Sequence, residues 1–322
     1  MSTTKLVFLF PGQGSQAVGM GRDLSEKFPV AKQTFDEADE ALEFPLSKLC
    51  FEGPEEQLKL TEFTQPAIFT VSIAAQRVLA ERGVVPSFVA GHSLGEYSAD
   101  VAAGVLPFAD AVKTVRNRGR YMQEAVPAGE GAMAAVLGLT PEAVIDLCAK
   151  AAAETRDVVS AANLNSPEQT VISGALAAVE RAGALAKDAG AKKVIMLAVS
   201  APFHCALMQP AQDRLAEDLR QLSFSAPSVP VVTNVDAALV TDAGKLHDAL
   251  VRQVTGSVRW VESMRLLVEQ KPTHFIEVGP GRVLSGLMRQ VIHRDAGHAQ
   301  HTLHVNDQAS LEKTLAALTP AS

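Results

Sequence analysis

Short apolar runs alternate along this chain with segments whose apolar residues recur at helical spacing. Runs at 5–10, 87–90, 229–232 and 274–278 have the length of strands, and helical stretches separate each from the next. This alternation predicts an α/β fold in which a mainly parallel sheet is covered by helices. Residues 64–83, TQPAIFTVSIAAQRVLAERG, are apolar on most sides, as suits a helix buried beneath such a sheet.

The middle of the chain has a different rhythm. Strand patterns at 131–139, 158–164, 169–173 and 192–199 enclose helical patterns at 140–154 and 176–189, the first opened by Thr140-Pro141. The order βαββαβ is that of a ferredoxin-like unit. Turn chemistry at Val126-Pro127-Ala128-Gly129 and Ser200-Ala201-Pro202 marks two crossings between domains. The expected organisation is a large hydrolase-like domain, 1–128 and 200–322, with a ferredoxin-like subdomain, 129–199, inserted in it. A cleft between them would lie near His204.

Composition narrows the function. With 322 residues, 47% of them hydrophobic, the chain can build its core without staples. Three cysteines, Cys50, Cys148 and Cys205, have neither metal-binding nor paired spacing, which argues for a reducing, cytoplasmic setting and against a structural metal. The apolar run before Pro11 is too short for a secretory segment or a membrane span. A net charge of −7 without a long basic block argues against nucleic acid and leaves small molecules or proteins as partners.

The chemistry concentrates in Gly91-His92-Ser93-Leu94-Gly95, placed between a strand pattern and a helix pattern. Glycines on either side of a sharp strand-to-helix turn let a serine project from the sheet edge, and the helix start offers N–H groups to a developing oxyanion. Ser93 is the candidate nucleophile. Its base must come from elsewhere, because His92 lies too near in the chain. Of the eight histidines, His293, His298, His301 and His304 fall in a polar tail, His247 in a charged helix, and His274 at a strand start. His204, at the domain crossing, is the candidate that can face the cleft; a buried histidine bonded to a carbonyl is the alternative.

Gly12 to Ala17 matches a dinucleotide-binding turn, but no second strand ending in an acid follows, and a tight turn bringing Gln13 close to a ligand explains the glycines. The helical pattern after Pro107 carries Lys113, Arg116, Arg118 and Arg120; one arginine turned into the cleft would select a carboxylate-bearing substrate, and spacing does not say which.

Seven segments, FLFPGQGSQ, GHSLGEYSA, RGRYMQEAVP, NLNSPEQTVISG, VSAPFHCALM, VRQVTGSVRW and FIEVGPGRVLSGL, together resemble the malonyl-CoA:acyl carrier protein transacylases of fatty-acid synthesis over nearly the whole chain. The resemblance implies Ser93 as acylated nucleophile, His204 as base, and Arg118 as holder of the malonyl carboxylate. It further implies Gln13 and Leu94 as oxyanion-hole N–H donors, Gln253 as the residue whose main-chain carbonyl orients His204, and Phe203 as a substrate-selecting neighbour. It implies ping-pong transfer from malonyl-CoA to the phosphopantetheine thiol of acyl carrier protein. Nothing in the sequence suggests a metal or redox cofactor, and a monomer is expected. The acidic carrier would dock on Lys192 and Lys193 or on Lys113, Arg116 and Arg120. Asp100, where an apolar residue is expected, should face outward. A serine hydrolase would need an orienting acid, for which Asp236 and Glu277 are available. Malonyltransfer in a malonate decarboxylase or polyketide system uses the same chemistry.

Overall fold

The computed structural model describes residues 5–199, 201–295 and 301–319, without the side chains of 293–295. Among the described residues ten strands, in chain order, are β1 (Leu6–Phe10), β2 (Phe88–Gly91), β3 (Gly131–Leu137), β4 (Val159–Ser166), β5 (Gln169–Ala175), β6 (Lys193–Met196), β7 (Val231–Val232), β8 (Leu239–Val240), β9 (His274–Val278) and β10 (His301–Val305). They form two sheets. The larger has the order β10-β9-β1-β2-β7-β8, parallel throughout except for the β7–β8 pair.

β1 shows why this sheet is central. Its five residues, LVFLF, are all buried, the mark of a strand covered on both faces. Alternation sends Leu6, Phe8 and Phe10 into one apolar cluster and Val7 and Leu9 into another, the second built around Trp260 and Met264. The helix Thr61–Glu81 packs in the first cluster and is buried nearly all round, as its composition requires.

The smaller sheet is antiparallel with order β4-β5-β3-β6, the ferredoxin-like arrangement. Two helices, Pro141–Thr155 and Leu176–Asp188, cover one face. On β3, Ala132, Ala134 and Val136 point into the core beneath those helices, while Met133 and Ala135 point the other way, into the cleft. Backbone bonds between β4 and Val258 tie this sheet to the larger unit: Leu164 N donates to Val258 O at 2.9 Å, and Val258 N to Ala162 O at 2.8 Å.

Three expectations need correction. His301 and His304 belong to β10, paired in register with β9, because HTLHV alternates its side chains as an edge strand does; His298 and the His293 side chain lie outside the described residues. β6 is shorter than expected, stopping at Met196 where the chain turns toward the cleft. Asp100 does not face outward: it is 0% exposed, because its whole helix, Leu94–Ala102, is packed from Leu94 to Asp100.

Candidate active site

A cavity of about 350 Å³ lies between the two sheets, lined by Gln13, Ser93, Leu94, Arg118, Phe203 and His204 from the large unit and by Met133, Ala135, Asn163, Asn165 and Val171 from the small sheet. Of the seven residues assigned to catalysis and acyl binding, all but Gln253 line it directly.

Ser93 sits on the turn from β2 into the helix Leu94–Ala102 with φ 50° and ψ −106°, a conformation that ordinary residues avoid. The flanking glycines make room for it. A Cβ on Gly91 would lie 1.9 Å from the carbonyl of Gly95, and one on Gly95 would lie 2.1 Å from Phe10 O, so strand, turn and helix approach at backbone contact. Asn234, just beyond β7, braces the turn: its Oδ1 accepts from Ser93 N at 2.7 Å and its Nδ2 donates to Gly91 O at 2.7 Å.

His204 and Ser93 meet. Ser93 Oγ lies 2.7 Å from His204 Nε2, and His204 Nδ1 lies 2.9 Å from Gln253 O. A carbonyl only accepts, so Nδ1 carries the hydrogen and Nε2 is left to accept the serine proton. His204 is 4% exposed, and its backbone is held at φ 60°. Burial, reinforced by the positive charge of Arg118, pushes its imidazole from the ordinary 6.5 down to about 3, so the ring is neutral and able to act as a base.

Arg118 is the arginine that turns inward, 1% exposed, from the helix Phe108–Glu124. Nη1 donates to Gln65 Oε1 at 2.8 Å, and Nη2 to Ser93 Oγ and Gln253 Oε1, each at 2.9 Å. Burial lowers its pKa, yet the guanidinium stays a cation. Arg116 instead pairs with Glu62 and Arg120 bonds to Asn117. Lys192 pairs with Glu168 on the surface.

Gln13 and Leu94 lie at the cavity wall, and neither backbone N–H has an acceptor among the described residues. Phe203 is buried against the same space. His92 points elsewhere: its Nε2 bonds Asn165 Oδ1 at 2.8 Å and its ring lies 5.3 Å from Trp260. The acids available to a hydrolase are also engaged elsewhere. Asp236 bonds Arg252 at 2.9 and 2.8 Å, and Glu277 caps the helix Val283–Asp295, accepting from Leu284 N and Ser285 N.

Sequence reasoning missed Glu96, Asn234, Gln65 and Asn165. Glu96 is wholly buried three residues after Ser93; Oε2 accepts from Asn234 N at 3.0 Å and from Gln253 Nε2 at 2.7 Å, while burial raises its carboxyl from 4.5 to about 7. A glutamate three residues after the nucleophile, in a segment whose other residues apart from Tyr97 and Asp100 are small or apolar, was the available signal. Among the described residues no group of three or more His, Cys, Asp or Glu could hold a metal ion, and no helix is long and apolar enough to cross a membrane.

A serine lifted from a parallel sheet, with an imidazole on its oxygen and a carbonyl in place of the third, acidic partner, has the layout of an acyl-transfer enzyme. The chain belongs to the acyl transferase domain family, which it matches over residues 7–316, and it is an acyltransferase. It is 50% identical to the malonyl CoA-acyl carrier protein transacylase of Bacillus subtilis over 315 residues, 98% of each protein. Its structure is similar to that of an acyl carrier protein S-malonyltransferase from Vibrio cholerae, with TM-score 0.92 and 50% identity over 97% of this chain and 100% of that one. A malonyl-transacylase solved in complex with its type II PKS acyl-carrier protein is similar with TM-score 0.93 and 47% identity, over 98% of this chain and 100% of that one.

Proposed function

We propose that this chain transfers the malonyl group of malonyl-CoA to the phosphopantetheine thiol of an acyl carrier protein, by way of a malonyl ester on Ser93. The observation that carries the reading is the meeting of three groups at one oxygen: Ser93 Oγ stands 2.7 Å from His204 Nε2 and 2.9 Å from Arg118 Nη2. Its relatives' names and the carrier complex of one structural neighbour support the choice of acyl group and acceptor.

In the first half-reaction His204 Nε2 takes the Ser93 proton as Oγ attacks the thioester carbonyl. The tetrahedral oxygen is received by the N–H groups of Gln13 and Leu94, the C–S bond breaks, and CoA leaves with the proton returned by His204. In the second half, the carrier thiol gives its proton to His204, its sulfur attacks the ester carbonyl, and Ser93 leaves as the hydroxyl. The Gln253 carbonyl keeps Nδ1–H in place throughout. Arg118 holds the free carboxylate of the acyl group, a charge-assisted contact that an acetyl group cannot make. Phe203 bounds the space beside it.

In this reading the chain draws on no cofactor and works as a cytoplasmic monomer supplying fatty-acid synthesis. The small subdomain, 129–199, closes the cleft against the catalytic unit, 1–128 and 200–322. Initial rates with malonyl-CoA and carrier protein both varied test the scheme. Double-reciprocal lines should be parallel, as a covalent intermediate requires; intersecting lines contradict it.

A further inference from the structure

Arg118 is a buried cation, yet the three side chains that accept from it, Gln65, Ser93 and Gln253, are all neutral. A buried arginine ordinarily gathers a carboxylate, and one is close by in Glu96. The amide of Gln253 stands between the two. Both hydrogens of its Nε2 are committed, one to Ser93 O at 3.0 Å and one to Glu96 Oε2 at 2.7 Å, with a longer shared contact to Asn234 Oδ1 at 3.4 Å. With the nitrogen so engaged, the amide has one orientation, and its Oε1 faces Arg118 Nη2 at 2.9 Å. The same residue's main-chain carbonyl holds His204.

We propose that Glu96 is a positioning residue for substrate recognition: its carboxyl group fixes the Gln253 amide, which aims Arg118 while keeping any protein carboxylate off the guanidinium. The inference rests on the malonyl-transfer reading above. A direct Glu–Arg pair would orient the arginine equally well, but the substrate carboxylate would then have to displace a charged competitor. An interposed amide orients by hydrogen bond and leaves the positive charge for the substrate. Oε2 can accept in either ionisation state, since Oε1 has no partner among the described residues and is free to carry a proton.

Three substitutions separate this role from packing. Glu96→Met removes the acceptor at similar length, Glu96→Asp withdraws the carboxyl by one methylene, and Glu96→Gln keeps an acceptor oxygen within reach. Acylation rates with malonyl-CoA and acetyl-CoA are followed by intact mass, and thermal unfolding checks that each variant is folded. The malonyl-to-acetyl ratio should fall at least about tenfold in the Met and Asp variants and stay within about threefold of wild type in the Gln variant. An unchanged ratio in a folded Met or Asp variant overturns the inference. A second readout needs no substitution: in the wild-type protein both side-chain amide hydrogens of Gln253, observed by NMR, should exchange slowly with solvent, and fast exchange of either one overturns it too. Wild-type protein that takes up no malonyl group would instead reject the malonyl-transfer reading, and the Gln253 exchange rates would still decide whether Glu96 holds the amide.

Discussion

Arg118 rests on Ser93: Nη2 of the arginine donates to the serine Oγ at 2.9 Å. The group that would recognise the substrate's charge thus touches the atom that would attack it, which suits an acyl group whose carboxylate lies one methylene from the scissile carbonyl. Arg118→Ala should leave acylation by acetyl-CoA possible while the preference for malonyl-CoA falls about tenfold or more, the worth of a hydrogen bond to a charged group. Comparing acylation rates with the two thioesters checks it; an undiminished preference excludes Arg118 as the carboxylate holder.

The imidazole of His204 should behave as a base far into acid. Its pKa is depressed from 6.5 to about 3, so the active neutral ring persists as pH falls through the usual histidine range. Labelling of Ser93 by a neutral phosphonofluoridate should stay nearly flat between about pH 7 and 5; a loss centred near 6.5 would contradict the assignment. The linked effect on stability has a defined sign. Because the folded-state value lies below the unfolded one, the contribution is complete above pH 6.5 and is lost as pH falls toward about 3.

Asp100 offers the opposite case. Both of its carboxyl oxygens lack partners among the described residues, and burial, with the nearby charge of Glu96, raises its pKa well above 3.8. A raised carboxyl favours the folded state below the unfolded value, and that contribution is lost as pH rises. Asp100→Leu should therefore stabilise the protein, with a larger gain in melting temperature at about pH 8 than at about pH 5. A lower melting temperature at both would show that Asp100 has a partner it needs.

Asn234 holds Ser93 in its strained conformation through bonds to Ser93 N and Gly91 O. Asn234→Ala should cost about 1–3 kcal/mol of unfolding free energy, measured in urea, and slow acylation as well. Stability lost without any change in acylation would separate the brace from the chemistry.

Which of these features could be read from the sequence follows from how local their signals are. The Ser93 elbow was legible because Gly91, Gly95, the strand before and the helix after lie within one short stretch, residues 88–102. β1 and the helix Thr61–Glu81 were legible because full burial demands continuous apolar sequence. The inward turn of Arg118 was not, since four cations share its helix and only the tertiary fold distinguishes the one facing Gln65 and Gln253. Asn165 and Asn234 find their partners 73 and 141 positions away, and nothing local marks such a pairing. Asp100 was misread because an acid a helical turn or two past the serine was expected to reach solvent, whereas its helix is buried on every side from Leu94 to Asp100.

Acyl transfer through Ser93 is decided by mass analysis of the intact protein after mixing with malonyl-CoA. One malonyl group should be added, mapped to the peptide carrying Ser93, absent in Ser93→Ala, and removed on addition of phosphopantetheinylated carrier protein as the carrier gains it. An adduct that forms on another residue, or carrier loading that persists in Ser93→Ala, would contradict it.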